Sequence, residues 1–305
     1  MTIKKIWRKW APNPFERTLR HAASRNQTRF LIVWNRGLGD IALGLYALTF
    51  RIRKQIPDAQ ITFLTRPDLA EGFSLLKDVE LLVIPDWKRG EPCNVEEMLL
   101  KVGKSPAAYD LILEKPDPTY WLKWQLGTLT PKLEWREEWD ALCNSFSLEK
   151  ERIYIGIQPQ TETGSQYGYE KNWPLSYWKE LIELLSLRRD VKIILFGREA
   201  NMDFSNFDLI DLRGKTSLLE MLSIIKNRCR QLIVPDSGVL SLSYFIDAEF
   251  PLHIISLWAD PRQGVLKQNV ASPNTQLTHT PLIAREGDLR NLSVQEIEGA
   301  ACSKI

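Results

Sequence analysis

Three short clusters in this chain of 305 residues carry groups able to handle a phosphorylated ligand. Asp236-Ser237-Gly238 follows the apolar run Leu232-Ile233-Val234 and opens a second apolar stretch, a strand–turn–helix pattern. Such a turn aims backbone N–H groups and the positive end of a helix at one spot, which suits a phosphate. Arg36-Gly37-Leu38-Gly39-Asp40 repeats the pattern after Phe30–Trp34, and its carboxylate is a candidate general base for an acceptor hydroxyl. Lys171, in Glu170-Lys171-Asn172-Trp173-Pro174, stands just before a helix start, within reach of an anion at the neighbouring turn. A helix end contributes about 0.3–1 kcal/mol, up to ~2 when partly buried. A unit charge pair at ~4 Å has a Coulomb term of roughly 4 kcal/mol at an effective dielectric of ~20, before desolvation. Lys171 is therefore the main anion anchor among these groups. Each has a bland alternative: Asp40 as a helix cap, Lys171 as a solvated charge, Trp173 as core.

Gly37-Leu38-Gly39-Asp40-Ile41-Ala42 also satisfies the dinucleotide pattern G-x-G-x-x-G/A, with a carboxylate at its fourth position. The second strand ends Leu64-Thr65-Arg66, with no acid for a ribose hydroxyl. Arg66 in place of that acid would suit a 2′-phosphate, which keeps an NADP-dependent oxidoreductase as one alternative. No Asp-x-Asp occurs, so lysine and helix end must carry a diphosphate's charge.

The elements that position these groups read as alternating strands and helices. Arg29–Asn35 is a strand and Asp40–Gln55 a helix with Ile41, Leu45, Leu48 and Ile52 on one face. Ala59–Thr65, Leu81–Ile84 and Leu111–Leu113 are further strands. After the polar joint Ser147–Lys150 come strands at Ile153–Gln158, Lys192–Phe196, Asp208–Asp211, Gln231–Val234 and His253–Leu257. Helices are expected from Pro174 through Leu187, over Ser217–Lys226 and Val239–Ile246, and in the closing segment Leu292–Ala301. This is an α/β pattern of two Rossmann-like doubly wound domains. The expected divisions are a basic arm (1–28), an N-terminal acceptor domain (29–150) and a C-terminal donor domain (151–305), facing a central cleft. Residues 116–140, with Trp121, Trp124, Trp135 and Trp139, have no clear periodicity.

Composition narrows the partners. Hydrophobic residues make up 44% of the chain, ample for two cores. Four scattered cysteines and three separated histidines suggest neither a disulfide framework nor a metal site, and fit a reducing cytoplasm. No apolar run approaches the roughly 20 residues of a membrane span. The net charge is +2, but Lys4, Lys5, Arg8, Lys9, Arg17, Arg20, Arg25 and Arg29 precede the first strand against the single acid Glu16. Ile3, Ile6, Trp7, Trp10 and Phe15 are interleaved with them, which reads as peripheral contact with anionic membrane, as a frayed basic arm, or as a helix packed on the first domain. The excess does not extend into the domains, so nucleic acid is not an expected partner.

Four segments together resemble glycosyltransferase family nine, the ADP-heptose:lipopolysaccharide heptosyltransferases. They are Leu31-Ile32-Val33 with Gly39-Asp40; Lys171-Asn172-Trp173-Pro174-Leu175-Ser176-Tyr177-Trp178; Asp211-Leu212-Arg213-Gly214-Lys215-Thr216-Ser217-Leu218; and Asp236-Ser237-Gly238. Leu292–Ile297 resembles the family's C-terminal helix. The resemblance implies a GT-B fold and inverting, metal-independent transfer of heptose from an ADP-linked nucleotide sugar to a lipid-linked or surface-glycan acceptor. No cofactor is implied, and the setting is cytoplasmic, at the inner face of the cytoplasmic membrane. Asp40 would be the catalytic base. Lys171, Asp236, Ser237, Gly238, Thr161 and Ser241 would hold the donor's phosphates, and Glu199 its ribose. In the first domain Arg36, Gly39, Arg66 and Lys123 are the acceptor candidates, with Lys88, Arg89 and Lys115 as further cations. Trp121 and Trp124 are candidates for stacking on sugar rings. The chain departs from the family where Ser241 stands for a usual histidine, where Tyr46 replaces a common proline, and in the tyrosine-rich loop Thr161–Tyr169. Ser241 motivates a second alternative, a non-catalytic nucleotide- or sugar-binding protein on a degenerate scaffold.

Overall fold

The computed structural model describes residues 14–122, 126–161 and 170–303. The chain divides into two compact units, Met1–Leu129 and Thr130–Ile305.

In the first unit, α1 (Pro14–Ser24) precedes β1 (Arg29–Trp34), β2 (Gln60–Thr65), β3 (Val79–Val83) and β4 (Leu111–Leu113). The strands form a parallel sheet in the order β3-β2-β1-β4. β1 and β2 are near-continuous apolar runs, buried all along after their first residues, as a sheet covered on both faces requires. The expected single helix after β1 has two parts: a π-helical turn, Ile41–Leu45, and then α2 (Tyr46–Gln55). Leu31, Val33, Leu64, Ile84 and Trp87 pack with Val95 and Leu99 of α3 (Val95–Lys101). α1 buries Phe15, Leu19 and Ala22 at helical spacing, Phe15 stacks on Trp121 at 4.9 Å, and Glu16 pairs with Arg51 of α2. The packed-helix reading thus describes this part of the arm, and Phe15 is core rather than an interfacial aromatic. Residues 1–13, Lys123 and Trp124 lie outside the described residues.

The second unit is a six-stranded parallel sheet in the order β10-β9-β8-β5-β6-β7. Its strands are β5 (Ile153–Ile157), β6 (Val191–Leu195), β7 (Ile210–Asp211), β8 (Cys229–Pro235), β9 (Leu252–Trp258) and β10 (Leu277–Ile283). The helices are α4 (Leu175–Ser186), α5 (Leu218–Asn227), α6 (Gly238–Phe245), α7 (Gly264–Gln268) and α8 (Val294–Cys302). Ser217 with Glu220 and Ser293 with Glu296 form reciprocal capping boxes that start α5 and α8. Trp173, Trp178, Leu181, Leu185 and Ile297 share one core, and the Trp173 indole donates to the Leu292 carbonyl at 3.1 Å.

Two features differ from expectation. The division between units precedes the joint at 147–150, because residues 130–146 are fastened to the second unit. The Asp140 carboxylate accepts from the Trp135 indole (2.9 Å) and from Lys226 (2.7 Å) and Asn227 (3.0 Å) of α5, while Leu133 bridges to Ile246. The other is β10, which the sequence pattern does not announce. It is an edge strand, with Pro281 inside it and half-buried residues interspersed with exposed ones.

β10 places His279 against the fully buried Ser256, Nε2 to Oγ 2.6 Å, with the Trp258 indole donating to the same hydroxyl at 2.6 Å. Burial, and secondarily the charge of nearby His253, lowers the His279 pKa from 6.5 to about 4. The unfolded chain therefore binds this proton well before the folded one. Stability is fully present above pH 6.5 and falls as the pH drops towards 4, by up to about 3 kcal/mol. Urea titrations between pH 6.5 and 4 should lose that slope in His279→Gln; an unchanged slope would assign the acid sensitivity to other groups.

Candidate functional site

In the second unit the chain runs outward through β5, β6 and β7, then returns to place β8 on the other side of β5. The carboxyl ends of β5 and β8 thus flank a topological switch point, where open α/β sheets bind ligands. Side chains join these ends: the Ser237 hydroxyl after β8 donates to Gln158 Oε1 after β5 at 3.1 Å. Lys171 reaches the same place, its ammonium 2.6 Å from Asp236 Oδ2, with the two side chains only 12% and 10% exposed. Trp173, fully buried two residues on, fixes the backbone that carries Lys171.

Ser237 is the N-cap of α6, its Oγ accepting from the Leu240 N–H at 3.2 Å. Gly238 is the first helical residue, and the leading amides of an α-helix have no acceptor inside it. Asp236 meets Lys171 instead of standing ready for a phosphate. Ser241 is buried, its hydroxyl donating to the Ser237 carbonyl at 3.1 Å. A serine hydroxyl one turn into a helix satisfies the i−4 carbonyl readily, so this side chain is spent locally. Gly264, at φ +49°, lets the loop after β9 close on Asp236: a Cβ there would stand 2.6 Å from Asp236 Oδ1.

Beside this cluster, Thr161 and Glu199 line one shallow recess with Gly197, Asn201 and Arg213. Glu199 is exposed there. Thr161 is buried, its N–H donating to Asn172 Oδ1 at 2.8 Å while its hydroxyl has no hydrogen-bond partner among the described residues. A buried orphan hydroxyl is costly until a ligand group meets it. The rest of the tyrosine-rich loop, 162–169, lies outside the described residues.

The first unit has its own switch point, between β1 and β4, and the Arg36–Asp40 turn sits at the end of β1. The turn is tied down from several directions. Asn35 Nδ2 donates to the carbonyls of Lys88 (3.2 Å) and Glu91 (3.1 Å), and the Leu38 carbonyl accepts from Ile41 N–H, closing the turn around Gly39. Asp40 makes no side-chain cap to its helix, so the capping alternative does not describe it. A Cβ on Gly37 would lie 2.9 Å from Asp40 Oδ2 and 4.0 Å from the Arg89 guanidinium, so glycine makes room for both charges. Arg36 is exposed and lies over the Trp34 ring. Arg66 is buried, pairs with Asp68 and donates to the Arg36 carbonyl at 3.0 Å. It braces the turn and is not presented to an acceptor or to a cofactor's 2′-phosphate, because its guanidinium is already committed.

Gln158 and Gly264 join the site through the fold rather than through any motif, whereas Asn172 and Arg213 lie in segments of the family resemblance that gave them no role. Gln158 has a faint signal, a polar residue ending an apolar strand; Gly264 has none, since its role is an approach between distant loops.

Residues 121–248 match the family model described as glycosyltransferase family 9 (heptosyltransferase). The matched stretch contains Thr161, Lys171, Glu199, Arg213, Asp236 and Ser237, the residues assembled around the β5–β8 switch point. Lipopolysaccharide heptosyltransferase 2 of Escherichia coli (strain K12) is 28% identical over 56% of this chain and 47% of its own length, so the alignment spans about half of that protein. Among solved structures, the ADP-heptose LPS heptosyltransferase II of E. coli superposes with a TM-score of 0.60 at 18% identity, covering 90% of this chain and 98% of that one. A glycosyl transferase family 9 protein from Veillonella parvula DSM 2008 gives a TM-score of 0.61 at 16% identity, over 90% and 96%. The fold class is GT-B, built of two parallel-sheet α/β units.

Asp236→Asn should remove the carboxylate that meets the Lys171 ammonium in an enclosed place. Breaking such a pair costs about 3 kcal/mol, a loss that urea unfolding would register. A change below about 0.5 kcal/mol would mean that the ammonium swings to water once released.

Proposed function

We propose that the chain is an inverting glycosyltransferase that moves heptose from ADP-heptose to a lipopolysaccharide-core or related surface-glycan acceptor. The observation that carries this reading is the position of Lys171, Asp236 and Ser237. They meet at a topological switch point inside the stretch that matches the heptosyltransferase family.

In this reading the second unit holds the nucleotide diphosphate. Lys171 and the amides of the first turn of α6 take the phosphates, the Thr161 hydroxyl bonds to them there, and Glu199 meets the ribose. The acceptor oxygen bonds to the anomeric carbon from the face opposite the diphosphate. The bond from that carbon to the phosphate oxygen breaks, and its electron pair leaves with ADP. Asp40 takes the acceptor's proton, with Arg36 and Gly39 beside it. Positive charge at the ammonium and the helix end favours the departing anion most when it is fully formed, which is where such groups accelerate the step.

Two variants separate the roles. Asp40→Asn should lower turnover by about 10²–10⁴-fold with ADP affinity unchanged, since only proton transfer is lost. A near-normal rate would remove Asp40 as the base. Calorimetry should show selective binding of ADP over UDP, GDP and NADPH, abolished in Lys171→Ala. A preference for UDP or GDP would reject the ADP-linked donor. ADP binding without transfer to any acceptor would favour the non-catalytic alternative, which Ser241 at the place of the usual histidine already motivates.

The site of action follows from α1. Its apolar side is buried, and its exposed residues include Arg17, Arg20 and His21, with Arg25 just beyond its end. This face suits electrostatic contact with an anionic bilayer, at about 1 kcal/mol per basic residue near the surface. No described helix is long and apolar enough to cross a membrane. Sedimentation with phosphatidylglycerol vesicles should therefore be strong at low salt and lost at high salt. Salt-insensitive binding would point to inserted apolar groups instead.

A further inference from the structure

The segment Asp211-Leu212-Arg213-Gly214 lies at the end of β7 and has no part in the proposed chemistry, yet it is tied into the recess. Arg213 is buried, with a side chain only 4% exposed. Its guanidinium is used in three directions. Nε and Nη2 donate to the two oxygens of Asp211 at 2.9 and 2.7 Å, a bidentate pair, and Nη1 donates to the Met202 carbonyl at 2.7 Å. The Phe204 ring lies beneath it, 5.0 Å from ring centroid to guanidinium carbon. Next in sequence, the Gly214 N–H donates to the Gly197 carbonyl at 2.8 Å. The loop 197–204 is therefore held at its start by Gly214 and at its far end by Arg213. Between these ties sit Arg198, Glu199 and Asn201, all exposed and all lining the recess.

We infer that Arg213 is the positioning residue of the recess: its fork, fixed on Asp211, sets the loop 197–204 and so the place of Glu199. This inference rests on the reading of the recess as part of the nucleotide site. The geometry demands arginine. A lysine ammonium can meet the Asp211 carboxylate or the Met202 carbonyl, but it has no planar fork that satisfies both while stacking on Phe204. Asp211 is the fixed end, because the hydrogen bonds from Arg213 hold its carboxyl below the usual range and it also accepts from the Arg213 N–H at 3.1 Å.

The effect is read first without any ligand. In Arg213→Lys, hydrogen exchange at the amides of 198–204 should quicken about tenfold, the loss of one charge-assisted hydrogen bond, with β8 unchanged. Unchanged exchange in the loop would overturn the inference. ADP calorimetry then reads the consequence: Kd should rise about tenfold in Arg213→Lys. It should stay put in Arg228→Lys, which alters a half-buried arginine bonded to Asn144 elsewhere in the same unit. In transfer assays KM for the donor should rise while kcat holds, a split that general destabilisation would not give. Asp211→Asn, which frees the fork at its other end, should move both readings the same way. Wild-type binding of ADP with no change in Arg213→Lys would overturn the inference alone. Failure of the wild type to bind ADP would overturn the proposed function, and hydrogen exchange would still decide the role of Arg213.

Discussion

The ion pair between Lys171 and Asp236 is the constraint around which the second unit is arranged. An ion pair this enclosed is weak evidence for stability, because desolvation of the two charges offsets most of their attraction. What it does is fix an ammonium group beside the start of a helix. Both partners are held from outside the pair. Trp173 is sunk in the core under α4 and α8, which sets the backbone of Lys171. The Asp236 N–H donates to the Leu257 carbonyl at the end of β9, and Gly264 brings the following loop against its carboxylate. Moving either charge would mean moving core.

The first unit solves the same problem for the opposite charge. Asp40 stands on a turn whose carbonyls and side chains are tied by Arg66 and Asn35 rather than by a cap from Asp40 itself. Its carboxylate is thereby left to other partners than its own helix. In both units a glycine with no Cβ gives the charged group its room, Gly37 beside Asp40 and Gly264 beside Asp236. A π-helical turn follows Asp40, and such turns are frequent at functional sites.

Much of this is legible in the amino-acid sequence. The buried strands announce themselves as short apolar runs, and the groups at their ends stand out because a charged or polar residue follows a strand and precedes a helix. Asp40, Lys171 and Ser237 are recognisable that way. Partnership is not legible. Asp236 and Ser241 stand at the helix start where a phosphate would sit, yet one is taken by an ammonium 65 residues away in sequence and the other by a carbonyl one turn back. Arg66 reads as an available cation in the sequence and is a buried brace in the fold. β10 escapes because an edge strand needs only one buried side and tolerates Pro281, so its pattern is neither alternating cleanly nor continuously apolar. Residues 130–146 escape because what holds them is the Asp140 cluster, a set of polar contacts with no period.

The sequence of α6 sharpens what Lys171 has to do. From Gly238 to Phe245 the helix carries no charged side chain, and Ser241 turns its hydroxyl onto the Ser237 carbonyl. Side-chain charge at this helix end therefore comes from neighbouring segments, with the helix itself supplying amides and a dipole of about 0.3–1 kcal/mol, ~2 at most. A diphosphate with two or more negative charges draws far more from an ammonium at contact distance than from that dipole. Asp236 holds the ammonium in place while the site is empty, at the cost of competing for it when an anion arrives. In the proposed reaction that competition works in favour of turnover, because the carboxylate reclaims the lysine as ADP departs. A site with a second fixed cation on α6 would hold the product more tightly and release it more slowly.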